Sequence, residues 1–206
     1  MMEFYEVINR RRTVREWKNE SVSEETLERI LAAGLKAPTH DHQRQWEFIV
    51  LHDRKEKENA LQFVKAWSAT QEERNSVASM GTTPQRMYAY AMPRQYTMLL
   101  NAPYVVIPLF KGGTGFFNAT AINGLNSLSS VWCVVENIFL AATAEGLSCS
   151  MRIPVGEEGK KVVSFLGVPD GYMMPCYIGI GYPAENTVVV EQVERQVKDT
   201  LHFGKW

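Results

Sequence analysis

The stretch LNSLSSVWCVVENIFLAATAEGL, residues 125–147, constrains the fold of this chain more than any other. It is long and mostly apolar. Val131, Val135, Ile138, Phe139 and Ala142 recur at helical spacing, which predicts a central buried helix. Four segments around it read as strands: WEFIVLHD and APYVVIPLF before it, SCSMRIPV and YMMPCYIGIGYP after it. Shorter helical patterns lie between and ahead of them. EFYEVINRRR places Phe4, Val7 and Ile8 on one side of a short amphipathic helix. SVSEETLERILAAGLKAP predicts a helix capped by Ser23, with Glu24 and Glu25 at its positive end. Its buried stripe is Leu27, Ile30, Leu31 and Leu35, and Pro38 ends it. EEGKKVVSFLG is a further helix and VPDG a turn. Residues 54–100 are helical but choppy, and their polar and aromatic mix suits a mobile or covering element rather than a deep core. Helices and strands in this order predict an α+β chain, with a mixed sheet carrying helices on both faces.

A length of 206 residues fits one domain with a large core, extended by a tail of mixed polarity over residues 188–206. Residues 1–12 lack the apolar run of a signal peptide, because Glu3, Glu6 and the arginines interrupt them. No stretch is read as approaching the roughly 20 apolar residues of a membrane span. Cys133, Cys149 and Cys176 are odd in number and spaced neither as a disulfide framework nor as a zinc site, so reduced thiols in a cytoplasmic protein are expected. A net charge of −1 argues against nucleic acid as a partner.

Against that neutral background, INRRRTVREW concentrates Arg10, Arg11, Arg12 and Arg15 within six positions. Arg11 and Arg15, four apart, have the spacing to present two guanidinium forks to one anion, with the Thr13 hydroxyl between them. A solvated helix end paired with Glu3, Glu6 or Glu16 explains the same residues. In APTHDHQRQWEFIV, His40 and His42 sit two apart and would share a face on a strand, as a metal site requires, but no third ligand accompanies them. FKGGTGFF matches no phosphate-loop spacing and reads as a loop. EGLSCSMRIPVG ends a strand in Pro and Gly, where backbone amides are free for a ligand. GxSxG is absent and no carboxylates cluster, so a reactive group, if there is one, comes from a cofactor.

RRTVREW, VSEETLERILAAGLKAPTHDHQRQWEFIVL, ENIFLAATAEGLSCSMRIPVG and LGVPDGYMMPCYIGIGYP, in that order, resemble the FMN-dependent nitroreductase family over nearly the whole chain. Residues 54–100 match least. The resemblance implies a three-layer α/β/α sandwich forming an intertwined homodimer, with two FMN molecules at its interface. It assigns the flavin phosphate to Arg11, Arg12 and Thr13, and the N1 and O2 edge of the flavin to Arg15. Pro38 and Thr39, with His40 and His42 in the same loop, would reach the flavin of the other subunit. Met151, Arg152 and Ile153, continuing through Pro154 to Gly156, would run past N5, and Lys205 would close over the phosphate. His42 and Arg44 stand where many relatives carry Asn and Gln, which makes Arg44 a candidate for contact with an anionic substrate or the NADPH phosphate. The implied activity is ping-pong hydride transfer from NADH or NADPH through flavin N5 to a small-molecule acceptor such as a nitroaromatic or quinone. No membrane or nucleic acid takes part. A metal-dependent enzyme built on His40 and His42, and a non-catalytic flavin-binding protein, are the alternatives.

Overall fold

The computed structural model describes residues 2–75, 81–112, 120–190 and 192–206, with the backbone alone over 72–75. Of the loop expected in FKGGTGFF, residues 113–117 lie outside the described residues. The strands are β1 (Trp46–Leu51), β2 (Tyr104–Lys111), β3 (Ser148–Arg152), β4 (Tyr172–Met173) and β5 (Tyr177–Gly181). The last expected strand is therefore two, separated around Pro175. They form one sheet in the order β1-β2-β5-β3, with β4 beside the end of β2. Trp46 lies opposite Phe110, Tyr104 opposite Ile180 and Ser148 opposite Gly181, and all pairs between these strands are antiparallel. The parallel component of the expected mixed sheet is confined, among the described residues, to a bridge between Thr13 and Cys149.

Alternation along β2 explains the layers, because successive side chains point to opposite faces. Val106 and Phe110 join one core with α2 (Glu24–Gly34) and α7 (Asn126–Ala144). Val105, Ile107 and Leu109 join a second core with α3 (Arg54–Ala60), α4 (Gln62–Asn75), α6 (Thr97–Leu100) and α8 (Glu158–Phe165). The remaining helices are α1 (Phe4–Arg10) and α5 (Thr83–Ala91).

All five residues of the expected α7 stripe are buried. With the 3-10 turn ahead of it, this helix runs Ile122–Ala144, 23 residues containing an 18-residue stretch of mean hydropathy 1.4, so one stretch does reach the length and hydropathy of a membrane span. It spends that apolarity against α2 and the sheet. Gly146, at φ 78°, terminates it: the amides of Gly146 and Leu147 donate to the carbonyls of Thr143 and Ala142 at 3.0 and 2.8 Å. Where α2 crosses α7, a Cβ on Gly34 would stand 2.9 Å from Ile138 Cγ1, so glycine permits the close approach.

Ser23 caps α2, its Oγ accepting the Thr26 amide at 3.2 Å. Leu27 and Ile30 are buried as expected, but Leu35 lies beyond the last turn and is 41% exposed. In α1 only Val7 is buried, whereas Phe4 and Ile8 face outward. Residues 54–100 are not merely a cover: Ala60, Leu61, Val64, Met98 and Leu99 are fully buried. Their apolar positions pack on the face of β2 opposite α7, which the choppy pattern concealed.

Candidate functional site

The N-terminal segment enters along the sheet edge. The Val14 amide donates to the Cys149 carbonyl at 3.0 Å, Lys18 N to Tyr182 O at 2.9 Å, and the Trp17 indole to Met98 O at 2.7 Å. This lays Arg11 to Arg15 beside the end of β3. The result is a cavity of about 840 Å³ lined by Arg11, Arg12, Thr13 and Arg15 together with Met151, Arg152, Ile153 and Val155. Two distant sequence motifs thus meet in space. Trp67 of α4, then Pro84, Met87, Tyr88 and Ala91 of α5, supply an apolar wall, and Val189, Val190 and Val193 approach from the C-terminal tail. None of these wall residues was singled out by sequence, and the one signal was the density of Met and Tyr in MYAYAM.

The arginines differ in what they already hold. Arg10 is exposed and pairs with Glu6 at 3.0 Å. Arg12 donates to the carbonyls of Asn9 and Arg11, both at 2.8 Å. Arg11 has only a 3.8 Å approach to Glu136. Among the described residues, the buried Arg15 Nε has no hydrogen-bond partner. Burial lowers its proton affinity from the ordinary guanidinium value, opposed in smaller part by the Tyr90 phenol and Glu16. A buried guanidinium N–H left unpaired is costly, and an acceptor atom in the cavity would complete it. The donor set therefore fits a large ligand with an anionic group near Arg11 and an electron-rich edge near Arg15.

Arg152 is different. Its side chain is 2% exposed and held by Glu158 of α8 through Nε to Oε1 at 3.2 Å and Nη2 to Oε2 at 2.5 Å. Its guanidinium also lies 4.3 Å from the Trp67 ring centroid. Burial, and then the Glu158 carboxylate, push the neighbouring Tyr177 phenol up. The Arg152 guanidinium thus lines the cavity while already paired with Glu158 inside the protein.

The other expected residues lie elsewhere. Pro38 and Thr39 are followed by a 3-10 turn, His40–His42, not by a strand. Thr39 and His40 line a small separate recess with Ser127 and Ser130 at the start of α7. The His40 amide donates to Ser130 Oγ at 3.1 Å, and His40 Nε2 lies 3.1 Å from the Asp41 carboxylate. Among the described residues, no three His, Cys, Asp or Glu side chains converge as metal ligands. Arg44 reaches back to the Leu35 carbonyl at 3.4 Å, near the end of α2. Asp41, His42 and Arg44 all have positive φ, between 47° and 53°, a conformation disfavoured for side-chain-bearing residues. Pro154 and Gly156 follow β3 directly, Gly156 at φ 56°, but are not among the residues lining the cavity. Lys205 is exposed in the tail and is likewise not among the residues lining the cavity.

The model of the family described as "Nitroreductase family" matches residues 8–182. The chain belongs to that family. An Archaeoglobus fulgidus protein named "Putative NADH dehydrogenase/NAD(P)H nitroreductase" is 25% identical over 208 residues, covering 100% of both chains. Mouse iodotyrosine deiodinase 1 is 27% identical over 215 residues, 97% of this chain and 68% of the deiodinase. In fold, this nitroreductase-family chain resembles oxidised iodotyrosine deiodinase bound to FMN and 3-iodo-L-tyrosine, with a TM-score of 0.76 at 19% identity over 99% of this chain and 100% of the other. Membership of the nitroreductase family makes oxidoreductase the coarse reading of its activity.

Proposed function

We propose that this protein is an FMN-dependent oxidoreductase that uses NADH or NADPH in ping-pong fashion to reduce a flat small-molecule acceptor, working as a homodimer. The observation that carries this reading is the cavity itself, where Arg11 to Arg15 meet the end of β3 and the buried Arg15 Nε has no partner among the described residues. When bound, FMN supplies the two-electron chemistry, taking hydride from the nicotinamide and giving it to the acceptor. Everything else falls to the chain. Arg11, with Arg12 and Thr13, holds the phosphate. Arg15, already oriented and without a competing hydrogen bond, stabilises charge at the flavin edge without reorganisation. Met151, Ile153 and Val155, which line the cavity, would hold the flavin ring, with the backbone running on to Gly156 supplying N–H donors. The apolar wall of α4 and α5 excludes water and offers a flat surface for the acceptor to stack.

Pro38, Thr39, His40 and His42 serve the site of a second copy in this reading, which accounts for the place of Thr39 and His40 in a separate recess. Arg44 and Lys205 belong with that shared site, and Arg152 borders the flavin cavity while paired with Glu158. The similarity to the deiodinases favours one further acceptor class, halogenated phenols. The test is direct. Purified protein reconstituted with FMN should be yellow, bleach with NADH or NADPH, and recover colour with a nitroaromatic, a quinone or a halogenated phenol. Protein that holds no FMN, or holds it and does not bleach, refutes the proposal.

A further inference from the structure

Next to Arg15 stands a residue to which the flavin reading gives no role. The Glu16 carboxylate collects three separate segments. Oε1 accepts a short hydrogen bond from the Tyr90 hydroxyl of α5 and lies 3.4 Å from Arg94 Nε in the following turn. Oε2 accepts from Thr187 Oγ1 of the C-terminal tail at 2.9 Å. The Glu16 carbonyl accepts the Ala184 amide at 3.0 Å. The Tyr90 ring in turn lies close to two guanidiniums, Arg94 at 4.0 Å and Arg15 at 5.9 Å from its centroid. Cations are drawn to aromatic faces at such distances. Among the described residues Arg15 has no carboxylate pair, so the Tyr90 face and the charge of Glu16 are what hold it.

We propose that Glu16 and Tyr90 are positioning residues, which fix the Arg15 guanidinium at the cavity and pin α5 and the tail across it. The proposal rests on the flavin reading for its first half and stands on the fold alone for its second. One carboxylate thereby sets both the electrostatics at the flavin edge and the closeness of the wall that an acceptor must meet. Tyr90 suits this role because burial first, and the Glu16 hydrogen bond next, raise its pKa to about 12, so it stays a neutral donor.

Two measurements test it. In the FMN-loaded protein, the midpoint potential is compared for wild type, Glu16→Ala, Arg15→Ala and the double variant. Glu16→Ala should shift the two-electron equilibrium against reduction about tenfold, roughly 30 mV, and add almost nothing when Arg15 is already gone. Independent, additive shifts would overturn the positioning role. In the unliganded full chain, amide exchange over residues 83–91 should quicken about tenfold in Glu16→Ala and also in the milder Tyr90→Phe, which keeps the ring. Unchanged exchange in both variants would overturn the pinning. A wild type that binds no FMN would instead refute the flavin reading, and the exchange measurement would still decide the second half.

Discussion

The Arg152–Glu158 pair lends itself to a quantitative test. Both side chains are nearly sealed, at 2% and 5% exposed, and two hydrogen bonds join them. Glu158→Gln keeps the shape but removes the charge. It also turns one accepting oxygen into an amide that points donors at a donor. The desolvated guanidinium is then left uncompensated, and breaking such a pair from one side costs about 3–5 kcal/mol. A chain of this length loses roughly 2–4 °C of melting temperature per kcal/mol. The expected fall is therefore about 6–20 °C in a calorimetric melt of the ligand-free protein. Replacing both partners by apolar residues, Arg152→Met with Glu158→Leu, removes the stranded charge and should restore most of the loss. A Glu158→Gln protein that melts within about 2 °C of wild type, or a double variant that melts no higher than the single one, would refute this account of the pair.

Arg11→Ala should chiefly weaken FMN retention, measured by fluorescence titration, and Arg15→Ala should chiefly slow flavin reduction in stopped flow; equal effects of both on affinity alone would sink that division. Gly34→Ala forces a methyl to 2.9 Å from Ile138 Cγ1 and should cost about 1–3 kcal/mol in urea denaturation, whereas an unchanged midpoint would show that α2 and α7 can separate freely. Tyr90 is held protonated in the fold, with its pKa raised from 10.0 to about 12. Its contribution is fully present below pH 10 and lost as pH rises toward 12, so wild type should lose more stability across that window than Tyr90→Phe. Parallel losses in the two proteins would contradict this.

The parts of the fold that follow local rules were legible in the sequence. The α7 stripe and the Ser23 cap depend on spacing and on one hydroxyl, and both are where spacing puts them. The meeting of Arg11 to Arg15 with Met151 to Ile153 was legible only through resemblance, since nothing local links residue 13 to residue 149. Leu35 was misplaced because the helix ends one residue before it, at Gly34, turning it out of the stripe. The pairing of Arg152 with Glu158 was not legible, because a strand-end arginine in a family motif carries no mark of a partner six residues on. The wall from Trp67 to Met92 was hidden for another reason: residues that line a cavity need neither periodicity nor charge, only a neighbour to face. His40 and His42 looked like a metal pair on the premise of an extended strand, which the left-handed turn at Asp41 and His42 removes.

The docking of the N-terminal segment has one more consequence. Thr13 pairs with Cys149 and Trp17 with Pro183, so the arginines reach their places only after the far strands of the sheet have assembled. An unfolded or half-folded chain therefore carries the same arginines but no site. A ligand held there binds the finished fold alone, and at a hundred times its dissociation constant it would add about 2.7 kcal/mol to stability. The cavity thus doubles as a sensor of completed folding, and supply of its ligand would govern how much of the protein survives in the cell as well as how fast it turns over.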